Sequence, residues 1–228
     1  MPFSRMLPLL YIALLYSHNL YANGMVPEST VLLVNDSERS GSMKIKNTDE
    51  KASLLYTKII NLPDDTGTNL LATQPVIRVE PGMTQIVNFI LSSDIPLETE
   101  HLKRVVFEGI PPANTTSRSI QINISQNLPV IIHPKSLPIV YDAWKFLEWH
   151  LNGNLLQVKN PSKYVVRLDN NIKLLPSGRK GDIGKKYILP NQRINIKIDG
   201  NNYTDEKVIF SPASRHGIQV KDFTSTLQ

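Results

Sequence analysis

Apolar side chains along this 228-residue chain recur at every second position in short runs, and helical spacing is nearly absent. Met43-Lys44-Ile45-Lys46-Asn47 alternates strictly, which is the pattern of a half-buried strand. Runs rich in Val, Ile, Leu, Tyr and Thr also cover 30–34, 54–60, 76–79, 85–91, 102–107 and 119–124. Turn residues separate them at intervals of roughly 8–12 positions. Pro63-Asp64-Asp65-Thr66-Gly67 and Pro81-Gly82 are the clearest of these turns, and Asp64-Asp65 reads as turn residues rather than as a catalytic carboxylate pair. About seven strands in this stretch predict an immunoglobulin-like sandwich.

His133-Pro134-Lys135-Ser136-Leu137-Pro138 leaves no room for a ladder and reads as a linker. Beyond it, short runs resume at 146–150, 155–159, 164–168, 172–175, 187–189, 194–198, 207–210 and 218–221. Asn152-Gly153-Asn154 between two of them is a hairpin signal. The expected organisation is all-β, with a first sandwich over 23–136 and a smaller second one over 137–228.

Residues 1–22 differ from the rest. A short positive start at Arg5 precedes an apolar run over 6–16, and Leu20-Tyr21-Ala22 ends in a small residue. The run is shorter than the ~20 residues a membrane span needs. It predicts an export signal cleaved after Ala22, leaving a mature protein that is not inserted in a membrane. The absence of cysteine means that such an exported protein relies on its core, and it removes thiol chemistry and common zinc sites. The formal net charge of +5 is spread without a basic, aromatic-laced stripe, so nucleic acid is not an expected partner. No two of the five histidines have ligand spacing, and no phosphate loop or nucleophile elbow appears. No catalytic residue, metal or cofactor is expected.

Six passages in order carry a resemblance. They are Glu38-Arg39-Ser40 with 43–47, then 74–82 ending in Glu80-Pro81-Gly82, Glu100-His101-Leu102, Ile110-Pro111-Pro112, His133-Pro134, and Lys159-Asn160-Pro161-Ser162-Lys163-Tyr164. Together they resemble the PapD-like pilus (fimbrial) assembly chaperones of the chaperone–usher pathway. The resemblance implies two immunoglobulin-like sandwiches at an angle, boomerang-like, joined by the Pro-rich linker. It also implies a periplasmic, non-enzymatic chaperone that binds pilus subunits by donor-strand complementation and hands them to an outer-membrane usher. A structural pilus or adhesin component and an exported β-rich hydrolase are the alternatives.

The donor strand the resemblance implies is Ser119-Ile120-Gln121-Ile122-Asn123-Ile124-Ser125, with Ile120, Ile122 and Ile124 on one face. Periodicity alone assigns these isoleucines to the chain's own core; the resemblance assigns them to a subunit groove. The cations with which the family holds a subunit's terminal carboxylate fall at Val31 and Pro129, neither of which can do so. Arg104 is the candidate replacement and Lys103 the second, the planar guanidinium being the better carboxylate ligand. The family's interdomain charge cluster maps onto Glu100, His133 and Arg215.

Overall fold

The computed structural model describes residues 24–93, 95–112, 123–200 and 204–228. The expected signal segment 1–22 therefore lies outside the described residues, as do Ile120 and Ile122. Among the described residues no helix is long and apolar enough to cross a membrane.

Nine strands build the first described unit: β1 (Met25–Pro27), β2 (Leu32–Asn35), β3 (Ser40–Asn47), β4 (Ser53–Asn61), β5 (Asn69–Ala72), β6 (Val76–Val79), β7 (Thr84–Ser92), β8 (His101–Ile110) and β9 (Ser125–His133). They hydrogen-bond in the order β5-β7-β3-β2-β9-β8-β4-β6, with β1 against β3. All neighbours are antiparallel except β2 and β9, which run parallel with Leu32 opposite Val130. The sheet folds over a core to which both ends of that order contribute, Leu70 of β5 and Val79 of β6 among them. Phe89 and Phe107 meet edge-on at its centre, 6.4 Å apart. Each such buried side chain contributes about 1.5–3 kcal/mol.

Eight strands follow: β10 (Glu148–Asn152), β11 (Leu155–Lys159), β12 (Val166–Leu175), β13 (Lys180–Asp182), β14 (Tyr187–Ile188), β15 (Arg193–Lys197), β16 (Lys207–Ala213) and β17 (Phe223–Thr226). They form two sheets, β10-β11-β15 and β13-β12-β16-β17 with β14 beside β12, closed over Trp149 and Phe210. The predicted hairpin closes β10 onto β11, with Asn152 opposite Leu155 and Gly153 at φ +58°. The runs 164–168 and 172–175 are one strand, not two, interrupted by a register shift between Leu168 and Ile172. The run 218–221 is not a strand: Ile218 is exposed, and only an isolated bridge joins Gln219 to Ala213.

A separate apolar cluster joins the two units. Val31, Leu62, Leu102 and Ile131 come from the first, and Val165 and Leu189 from the second. Val31, where the resemblance places a cation, is buried at this contact.

Candidate functional site

Glu100 stands at the entrance to β8 with its side chain only 3% exposed, so its charge must be met by partners. Its Oε1 accepts from Arg215 Nη1 at 2.6 Å and lies 2.8 Å from His133 Nδ1. Its Oε2 accepts the Val165 N–H at 2.9 Å, and its own N–H donates to the Lys163 carbonyl at 2.8 Å. The structure thus brings Glu100, His133 and Arg215 together between the units. His133 Nε2 lies 2.9 Å from the Leu137 carbonyl of the linker. Both imidazole nitrogens can donate at once only when the ring carries both protons.

The Asn-Pro-Ser passage explains why Glu100 finds a seat. Asn160 is fully buried, and its Nδ2 donates to the carbonyls of Tyr164, Ile188 and Leu189. Its Oδ1 accepts from the Ser162 N–H and hydroxyl. These bonds fix the backbone of 160–164, which sets the Lys163 carbonyl and Val165 N–H against Glu100. Tyr164 then ties the linker down by donating its hydroxyl to the Pro138 carbonyl at 2.8 Å.

Beside this cluster lies a cleft of about 270 Å³, lined by Arg104, Pro129, Arg167, Asp169 and Lys186 among others. Arg104 reaches it because alternation along β8 turns Leu102 and Arg104 away from the first core. Its Nε donates to Asn127 Oδ1 and its Nη2 to the Asn127 carbonyl, both at 2.6 Å. Burial draws its guanidinium below the ordinary value, an effect that Tyr187 opposes. Lys103 faces the other way. It is 1% exposed, on the side of β8 that carries Val105 and Phe107 into the first core. Burial lowers its pKa, with Asp65 pulling it back. Lys103 is therefore not presented to the cleft, and a ligand there would meet Arg104 instead.

Arg167, which the sequence reading did not single out, is the second guanidinium of this cleft. It occupies the slot of β12 between Val166 and Leu168, both buried in the second core. Its Nη2 donates to the Ser214 carbonyl at 2.6 Å. Burial, and then the like charge of Arg104, push its pKa down to about 10, with Glu100 acting in the opposite sense. The available sequence signal was an arginine at the outward position of a strand just after the Asn-Pro-Ser passage.

β9 has an open side. Its ladder with β8 runs from Ser125 to Ile132, whereas its ladder with β2 begins only at Val130. Residues 125–129 thus have a ladder partner on one side alone among the described residues. On the face that carries Val130 and Ile132 into the core, Leu128 is partly buried and Ile124, at the start, is 47% exposed. This face therefore leaves the core at Leu128 and, past Gln126, reaches solvent at Ile124. Ile124 also borders a hollow of about 350 Å³, with Gly24, Ser53, Gly109 and Pro111.

Asp64 does more than turn the chain. It accepts from Lys185 Nζ at 2.6 Å, the Tyr187 hydroxyl at 3.0 Å and Gln192 Nε2 at 3.1 Å, all on the second unit. Asp65 is buried and takes its bonds from His101 Nδ1 and the Leu102 N–H.

The profile described as "Pili and flagellar-assembly chaperone, PapD N-terminal domain" matches residues 24–138, and "Pili assembly chaperone PapD, C-terminal domain" matches 142–224. The chain belongs to the PapD-like pilus-assembly chaperones. This decides for a chaperone over a structural pilus component. The chaperone is 48% identical over 213 residues to the uncharacterized fimbrial chaperone YhcA of Escherichia coli K12, covering 93% of this chain and 94% of that one. Its fold matches a chain from the Salmonella enterica complex of SafA pilin with the SafB chaperone at TM-score 0.74 and 17% identity, covering 91% and 98%. It likewise matches the E. coli chaperone DraB at TM-score 0.71 and 19% identity, covering 90% and 97%.

Proposed function

We propose that this chaperone works in the periplasm, without catalysing a reaction, by lending pilus subunits the strand over 119–125 and passing them to an outer-membrane usher. The observation that carries this reading is the one-sided ladder of β9, whose core-facing side leaves the core at Leu128 and, past Gln126, reaches the half-exposed Ile124; in the sequence Ile122 and Ile120 continue that alternation. A groove lacking a strand would find there both unpaired backbone and apolar side chains at every second position. Each isoleucine taken up would contribute about 1.5–3 kcal/mol. A neighbour of known structure is a chaperone held with a pilin, which supports the same arrangement.

Arg104 is assigned the subunit's terminal carboxylate, since it faces the cleft and makes no ion pair among the described residues. Glu100, Arg215 and His133 fix the two sandwiches around that cleft.

The test is Ile122→Asp, with Ile124→Asp as companion. Both variants should melt as the wild type does and fail to bring subunits down from osmotic-shock fluid. A large drop in melting temperature with subunit recovery retained would return these residues to the chaperone's own core.

A further inference from the structure

We infer that Arg167 is the second jaw of the carboxylate site, so that the subunit's C-terminus is gripped between the two sandwiches rather than by the first alone. This rests on the assignment of Arg104 to that carboxylate. Three observations point to it. Arg104 and Arg167 come from different units yet line one cleft. Each donates to neutral oxygens, of Asn127 and Ser214, and neither makes an ion pair among the described residues. Alternation along β12 turns Arg167 out of its own core, toward the first unit, where a packing residue would need no charge.

Two guanidiniums sharing a partly buried space repel each other until an anion sits between them, and at Arg167 the like charge of Arg104 adds to burial in lowering the pKa. A terminal carboxylate has the right charge and two oxygens, one for each fork. The same cleft holds Asp169, whose carboxylate accepts from the Asn171 N–H and Nδ2, and Lys186, whose charge lies near it. These two offset each other and leave the arginines as the net positive pair. A carboxylate held by both arginines also ties the first sandwich to the second, so binding the end of a subunit resists any change in their relative orientation.

The probe is a synthetic peptide of alternating apolar and polar residues with a free C-terminus, compared with its C-terminal amide. Affinity is read by calorimetry and the arginine Nε–Hε signals by NMR, on the full mature chain. The acid should bind about tenfold or more tightly than the amide and shift both the Arg104 and the Arg167 signals. Arg167→Gln should erase most of that preference, as Arg104→Gln does, and the double variant should be little worse than either. Arg167→Lys, which retains the charge without the fork, should recover part of the preference at an unchanged melting temperature. If Arg167→Gln keeps the full preference while Arg104→Gln loses it, the carboxylate site stands and Arg167 is not part of it. Equal binding of acid and amide, or no binding of either at millimolar concentration, overturns the carboxylate site and this inference together.

Discussion

Arg104 and Pro129 are direct cross-strand partners in the β8–β9 ladder, so their side chains leave the sheet on the same face. Pro129 is one of the two positions at which the family resemblance expects a cation. The positive charge missing from β9 is thus available one strand away, aimed into the same cleft. Arg104→Ala should cost subunit binding a charge-assisted contact of about 1.5–3 kcal/mol. Adding Pro129→Lys to that variant should restore much of the loss, because the new ammonium starts from the opposing position. Co-purified subunit per chaperone measures both, and a double variant no better than Arg104→Ala rules out the shared position.

Glu100 compensates two buried cationic or hydrogen-bonding partners at once, so its neutralisation should be felt at the domain junction. Glu100→Gln keeps the shape but leaves Arg215, 7% exposed, without its carboxylate. Removing one side of a buried pair costs about 3 kcal/mol. Each sandwich retains its own core, so the expected outcome is a wider spread of domain orientations in small-angle scattering and a lower first melting transition. An unaltered scattering profile and melting curve would deny the cluster that role.

Asp64 gives a second, outer tie with its own pH signature. Burial raises its pKa, but the bonds from Lys185, Gln192 and Tyr187 outweigh this and hold it below the ordinary carboxylate value of 3.8. The folded form therefore binds its proton less readily than the unfolded chain. The tie is fully present above about pH 4 and disappears as pH falls through the lowered value. Asp64→Ala should cost about 0.5–1 kcal/mol near neutrality, less in high salt, and nothing further in strong acid. Melting curves across pH and salt test this; a deficit independent of both would mean lost packing instead.

Arg167 should cost the empty chaperone stability. With its pKa lowered from 12.5 to about 10, its charged form is disfavoured by folding. That penalty is fully present below about pH 10 and fades as pH rises toward the ordinary guanidinium value. Arg167→Met removes the charge and keeps an apolar stem, so calorimetry of the free protein should give a melting temperature equal to or a few degrees above wild type. A fall of several degrees would mean that the bond to the Ser214 carbonyl is worth more than the charge costs.

Much of the architecture was legible because edges and cores leave different marks on sequence. β6 and β11 were readable to the residue, since turn residues bound an apolar run on both sides. β13, Lys-Gly-Asp, was not: it lies at a sheet edge and carries no apolar signal. β17 hides for a similar reason, with Phe223 its one large apolar residue. In β12 the polar Asp169-Asn170-Asn171 bulge broke the alternation and split one strand into two. At the site, Glu100, His133 and Arg215 came from motif order, although Glu100 and Arg215 lie 115 positions apart. Asp64 announced a turn, but its three partners lie more than 120 positions onward, and no local pattern encodes that distance. Arg167 was hidden because an arginine on an outward strand position is ordinary until a second surface is packed over it.

The parallel pairing of β2 with β9 sets a schedule for the chain's own folding. Leu32 and Val130, about 100 residues apart, must meet before the first sandwich is closed. As the polypeptide emerges from its N-terminus, β2 has only β3 beside it until residue 133 is free. High contact order of this kind places closure in the slow, millisecond-to-second range. The second sandwich emerges later and supplies the Val165 N–H and Arg215, so Glu100 has His133 but lacks these two partners until then. The junction between the sandwiches is therefore complete only once residue 215 has emerged.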